Sequence, residues 1–201
     1  MTMPITMPDL SVRPFQLVAV RFKPGGAVPF LRLSADALTD TECLCADIGA
    51  SRLVPPGLEE LDDLAAIVRR LEQRLLAKLA DVTHPDRRVQ YAVDAICAAS
   101  PPSVDALARD MGWSRQHLAR TIRANVGIGP KQLARTARMH RAVALLQRQP
   151  CPELADVAAA TGYFDQAHMA NDFRELVGAP PGHVQASRGS IFTIPAMVER
   201  A

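Results

Sequence analysis

From Arg115 to Arg148 the chain contains no acidic residue, while Arg115, Arg120, Arg123, Lys131, Arg135, Arg138, Arg141 and Arg148 all fall inside that span. A positive run of this length attracts a polyanion. Other absences narrow the class further. Cysteine is scarce: Cys43, Cys45, Cys97 and Cys151 lie at no spacing of a disulfide framework. Cys43-Leu-Cys45 is too tight for a usual zinc pair and has no second pair nearby, so the four read as reduced thiols of a cytoplasmic protein. No window approaches about 18 apolar residues, and no charged leader precedes an apolar core, so neither a membrane span nor a targeting segment is expected. No Ser/His/Asp set, phosphate loop or paired-carboxylate arrangement stands out, and no catalytic residue, metal site or cofactor is expected.

What is present begins with a length of 201 residues and 48% hydrophobic composition, enough for one or two modest cores. The formal charge of +2 conceals a division. Residues 1–85 carry 9 basic and 11 acidic side chains, net −2, whereas residues 86–188 carry 13 and 9, net +4.

The stretch from Ser103 to Val184 is one unit written twice, with the copies about fifty residues apart, a spacing typical of duplicated structural units. Leu107 matches Val157, Gly112 matches Gly162 and Trp113 matches Tyr163. After one extra residue, Phe164, the register resumes with His117 on His168, Leu118 on Met169, Ile122 on Phe173 and Gly127 on Gly178. Each copy predicts a helix-turn-helix. A short Ala-rich helix stops at a glycine able to take the left-handed conformation, then Ser114 or Asp165 caps a second helix. In the first copy Leu118 and Ile122 share one face of that second helix, and Gln116, Arg120 and Arg123 share the other. An apolar back with a basic and amide front suits a helix reading the major groove, where Arg pairs with guanine and Gln with adenine.

Ser114-Arg-Gln-His-Leu-Ala-Arg, Gly127-Ile-Gly-Pro-Lys-Gln, Asp156-Val-Ala-Ala-Ala-Thr-Gly-Tyr and Asp172-Phe-Arg-Glu-Leu-Val-Gly-Ala-Pro resemble the DNA-binding domain of the AraC/XylS transcription regulators. The resemblance spans about Arg87 to Ala186, roughly half the chain. It implies a mainly α fold: a C-terminal seven-helix domain with two helix-turn-helix motifs joined by a connecting helix, preceded by a small, incomplete α+β N-terminal region. It implies control of transcription, double-stranded DNA as partner, often activation through RNA polymerase, and in many members a small-molecule effector that these residues do not identify. The implied DNA-binding residues are Arg115, Gln116, Ala119, Arg120, Arg123 and Lys131, then Gln166, Ala167, Ala170, Asn171 and Arg174.

In chain order, residues 1–57 form a short mixed fragment, 58–82 a linker or dimerisation helix, 83–188 the DNA-binding domain and 189–201 a tail. Met1–Pro8 reads as frayed. Phe15–Phe22 is a strand candidate closed by a turn at Pro24-Gly25-Gly26, a short apolar piece covers Val28–Leu33, and Ser34 opens a helical turn. Ala19–Leu31 resembles the last part of the N-terminal domain in some members of the family, where such domains are barrel-like sensors or dimerisation modules. A barrel needs about eight strands and only two or three fit before Pro55, so a complete ligand pocket is not expected.

Leu58–Ala80 predicts a helix with acids first and bases last, an order that suits the helix dipole. Leu61, Leu64, Val68, Leu71 and Leu75 form a coiled-coil-like stripe, which either pairs with a second copy or packs on the N-terminal fragment. Thr83 predicts a cap, Pro85 the first helical position and Asp86 the capping-box slot of the next helix. The connecting helix, Lys131–Gln149, would span about 30 Å. One turn of B-DNA is about 34 Å, so such a rod could hold two reading helices in successive major grooves. Arg135, Arg138 and Arg141 on it face either phosphate or solvent.

The second copy is poor in bases. Glu153–Arg188 holds two of them against five acids, net −3, and Asn171 stands where the first copy has Arg120. The first reading helix is therefore expected to dominate affinity. His117 and His168 are expected to pack or cap, and Trp113 and Tyr163 to wedge their helices. Two rival functions stay open: an interaction protein forming heterodimers with a full-length AraC-type regulator, and an enzyme fused to such a domain, which would need a reactive cysteine in an electropositive setting.

Overall fold

The computed structural model describes residues 18–58, 63–82, 86–148 and 150–186. Among them there are nine α-helices, two short 3-10 turns and no strand. The helices are α1 (Ala27–Leu31), α2 (Leu64–Leu79), α3 (Arg87–Cys97), α4 (Val104–Asp110), α5 (Arg115–Val126), α6 (Pro130–Leu146), α7 (Leu154–Thr161), α8 (Gln166–Val177) and α9 (Pro181–Ala186). The mainly helical class and seven C-terminal helices, α3 to α9, agree with the sequence. The chain divides into two compact units, Met1–Tyr91 with His117–Ile128, and Ala92–Gln116 with Gly129–Ala201.

The first unit corrects several N-terminal expectations. Phe15–Leu17 lies outside the described residues, and Val18–Phe22 is not a strand. A strand needs a neighbour to satisfy its backbone, and the apolar piece that could have supplied one is instead helical, as α1. Phe22 packs on Phe30 with ring centroids 5.2 Å apart. The expected turn after Ser34 is a 3-10 turn, Ala35–Leu38. Helix α2 starts at Leu64 rather than Leu58, because Asp63, in an extended conformation, accepts from the N–H groups of Ala65 and Ala66. Glu59–Asp62 lies outside the described residues. Arg74 Nε donates to the Arg52 carbonyl at 2.8 Å, and Arg52 in turn donates to the Phe30 carbonyl at 2.7 Å, tying α2 to the N-terminal fragment.

That fragment also closes the end of α5. The last carbonyls of a helix have no partner within it. Ser34 Oγ donates to the Ala124 carbonyl at 3.2 Å, and Thr39 Oγ1 donates to the Gly127 carbonyl at 2.9 Å. Gly127 has φ +92°, and a Cβ there would sit 2.5 Å from Thr39 Oγ1 and 3.1 Å from the Ala35 carbonyl oxygen. Glycine is required on both counts.

The second unit has its core where α6, α7, α8 and α9 meet: Met139, Ala142, Val143 and Leu146 against Val157, Tyr163, Met169, Phe173 and Val184. Phe173 and Met169 are wholly buried, each contributing about 1.5–3 kcal/mol. Ser103 caps α4 through the Ala106 N–H. Asp86 is itself the cap of α3, accepting from the Arg88 N–H at 2.8 Å, rather than a capping-box partner. A carboxylate one residue before the first helical turn takes the cap directly. Thr83 and Pro85 lie outside the described residues, as do Gln149 and the tail from 187. Helix α6 is 17 residues, about 25 Å, shorter than the sequence suggested.

Candidate nucleic-acid interface

Both turns are built as the sequence requires. Gly112 has φ +64° after α4, and Gly162 has φ +81° after α7, left-handed values that a side chain disfavours. In the second copy Asp165 caps α8 by accepting from the His168 N–H at 2.7 Å. The His168 ring lies edge-on to Tyr163 at 5.3 Å, so His168 packs. The apolar faces are fully used: Leu118 and Ile122 of α5, and Met169 and Phe173 of α8, are each 0% exposed.

The opposite faces are open. On α5, Arg115, Gln116, Arg120 and Arg123 are exposed and Ala119 half-exposed. Arg115 pairs with Asp105 at 2.6 Å, and Arg120 lies 3.4 Å from His117 Nδ1. On α8, Gln166, Ala167, Asn171 and Arg174 are exposed and Ala170 half-exposed, with Arg174 donating to Asn171 Oδ1 at 2.9 Å. Lys131, exposed at the start of α6, lines an open cleft of about 600 Å³ together with Arg115. The sequence-derived residues of each helix thus share its solvent face.

The α6 arginines Arg135, Arg138 and Arg141 are part-buried, and each has a partner within the protein. Arg135 Nε donates to Asp172 Oδ1 at 2.7 Å and its Nη2 to Glu175, which clamps α6 to α8. Arg138 stacks over the Tyr163 ring at 5.1 Å, a cation–π contact. Arg141 Nη1 donates to the Cys97 carbonyl at 2.7 Å, fixing α6 to the end of α3. Burial lowers the pKa of Arg141. The signal missed in the sequence was Asp172, a charged residue where the first copy has Thr121, on the inward side of α8. Asp172 is 5% exposed, and its Oδ2 finds no hydrogen-bond partner among the described residues. The Tyr163 hydroxyl is likewise buried without one, and burial followed by the Asp172 charge pushes its pKa up to about 12.

Among the described residues no group of His, Cys, Asp or Glu could hold a metal, and no helix is long and apolar enough to cross a membrane. Cys43 and Cys45 are exposed free thiols, and burial raises the pKa of Cys97.

Two short helices around a left-handed glycine, an apolar face sealed inside and a basic and amide face left open, occurring twice, define a tandem helix-turn-helix DNA-binding domain. Residues 107–187 match the family profile described as a helix-turn-helix domain. The chain is 36% identical over 85 residues to the HTH-type transcriptional regulator GlxA of Rhizobium meliloti (strain 1021), covering 42% of this chain and 26% of that protein. It is 35% identical over 93 residues to the uncharacterized HTH-type transcriptional regulator YbfI of Bacillus subtilis (strain 168), covering 45% of this chain and 33% of that protein. The chain therefore spans only a quarter to a third of these curated relatives. Over residues 107–187 the chain is thus similar to helix-turn-helix transcription regulators, as its resemblance to the AraC/XylS regulators implies. Two solved structures are similar. One is a transcriptional regulator with an AraC-type DNA-binding domain from Chromobacterium violaceum (TM-score 0.47, 25% identity, 52% of this chain and 94% of that one). The other is the C-terminal domain of AraT, a response regulator from Geobacillus stearothermophilus (TM-score 0.47, 22% identity, 53% and 89%).

Proposed function

We propose that the chain regulates transcription by reading a specific double-stranded DNA site, with α5 as the dominant reader and α8 as the weaker one. The exposed row Gln116, Arg120 and Arg123 carries this reading. It offers bidentate donors for guanine and adenine and a cation for phosphate, on a helix whose other face is sealed. Arg115 and Lys131 add phosphate contacts, and Ala119 keeps the helix close to the groove. Gln166, Ala167, Ala170, Asn171 and Arg174 do the same on α8 with less positive charge. The connecting helix α6 acts as spacer, and its arginines hold the second reader in place. In this reading RNA polymerase is a further partner, as the resemblance to the AraC/XylS regulators suggests.

Selection of bound duplexes from a random pool, followed by a salt titration, tests the function. A defined motif with a steep loss of affinity as salt rises is the expected result, and footprints should show two protected patches about one helical turn apart. A salt slope near zero would end the proposal.

Self-pairing through Leu58–Ala80 is supported by α2, where no residue is buried and Leu64, Val68, Leu76 and Leu79 are exposed. Sedimentation of the whole chain tests it: a monomer at tens of micromolar rules it out.

A further inference from the structure

Phe164 is the one residue by which the second copy exceeds the first, and it is 92% exposed. That is more than any other large apolar side chain among the described residues, the next being Leu44 at 71%. A phenylalanine left in water forgoes a large part of the gain that burial would bring. The position is nevertheless built. The Phe164 N–H lies 3.4 Å from His168 Nδ1, His168 is held by the Asp165 carboxylate at 2.7 Å, and its ring abuts Tyr163. The chain thus fixes the Phe164 backbone and leaves its ring in solvent.

The ring stands immediately before Asp165, the cap of α8, and so at the end of the helix that begins with Gln166 and Ala167. N-terminal residues of a reading helix are the ones that reach base edges. Charge cannot supply much of the contact here, since Glu153–Arg188 is net −3. The apolar feature in the major groove is the thymine 5-methyl group, a known partner for alanine and phenylalanine side chains. We infer that Phe164 is a specificity-determining residue that packs on a thymine methyl at the edge of the second half-site. The inference rests on the proposed DNA-reading function.

The test uses the full chain and the site found by selection. Each thymine of the second half-site is replaced in turn by deoxyuridine, which removes only the 5-methyl group. Wild-type affinity should fall about fourfold at one of these positions, the equivalent of one buried methyl. Phe164→Ala should bind the thymine site at least as weakly and be indifferent to the substitution, while Phe164→Leu should keep much of the discrimination. Because the side chain is exposed, all variants should melt with the wild type. Wild-type-like DNA binding by Phe164→Ala would overturn the assignment and point to a protein surface as the partner of this ring. An equal loss on thymine and uridine sites would overturn it as well. If the wild type selects no site at all, the DNA-reading function itself fails.

Discussion

Replacing Arg135 by alanine should destabilise the protein more than replacing Asp172, although the two residues form one ion pair. The Nε–Oδ1 distance is 2.7 Å, the Asp172 side chain is 8% exposed and that of Arg135 is 32% exposed. Without Arg135 the Asp172 carboxylate stays buried with neither oxygen partnered, an uncompensated charge worth about 3–5 kcal/mol. Without Asp172 the guanidinium keeps both Glu175 and access to water, and the unpaired Oδ2 is gone as well. That loss should be about 1–2 kcal/mol. The double variant should therefore be more stable than Arg135→Ala alone, giving an interaction energy of about 2 kcal/mol. Urea denaturation followed by far-UV circular dichroism on the four proteins of the cycle measures it. Equal losses for the two single variants, or simple additivity, would refute the reasoning. So would an Arg135→Ala protein of unchanged stability whose DNA binding has lost about one unit of salt slope, the mark of a phosphate contact.

Three further outcomes follow from named residues. Arg120→Ala should weaken DNA binding by about 1–3 kcal/mol and relax specificity, with Asn171→Ala costing less; equilibrium binding on the selected site would show the reverse order if α8 dominated. Gly127→Ala should destabilise by about 2 kcal/mol, since the left-handed backbone alone accounts for about 1–2 kcal/mol and the Ala35 carbonyl oxygen, 3.1 Å from the added Cβ, would have to shift; adding Thr39→Ala should recover only part of the melting temperature. Tyr163, its pKa raised to about 12, should ionise late in an ultraviolet titration. The unfolded chain loses this proton near pH 10, so stability present below pH 10 should decline as pH rises from about 10 to 12, and Tyr163→Phe should flatten that decline.

The reading elements were legible because they rest on local chemistry. Gly162 needs a left-handed turn and Asp165 an N-cap, and both appear within a few residues of the helix they start. Leu118 and Ile122 recur at helical spacing and are buried for that reason. The partners of Arg135, Arg138 and Arg141 were not legible. Each lies far along the chain, on α8, at the second turn and at the end of α3, and only three-dimensional packing brings it near. The same holds for Thr39 and Gly127, 88 residues apart. In the N-terminal fragment β-branched and aromatic residues suggested a strand, but no pairing segment accompanies it among the described residues, and propensity alone does not make a sheet.

The hydroxyls of Ser34 and Thr39 at the end of α5 bear on how this chain can be dissected. A fragment excised at the family boundary, beginning at Leu107, would contain every implied base-reading residue yet hand the Ala124 and Gly127 carbonyls to solvent and strip the cover from a buried glycine. The stretch that similarity marks out as autonomous is thus not mechanically autonomous. Its first helix-turn-helix is finished by residues that lie outside the matched stretch.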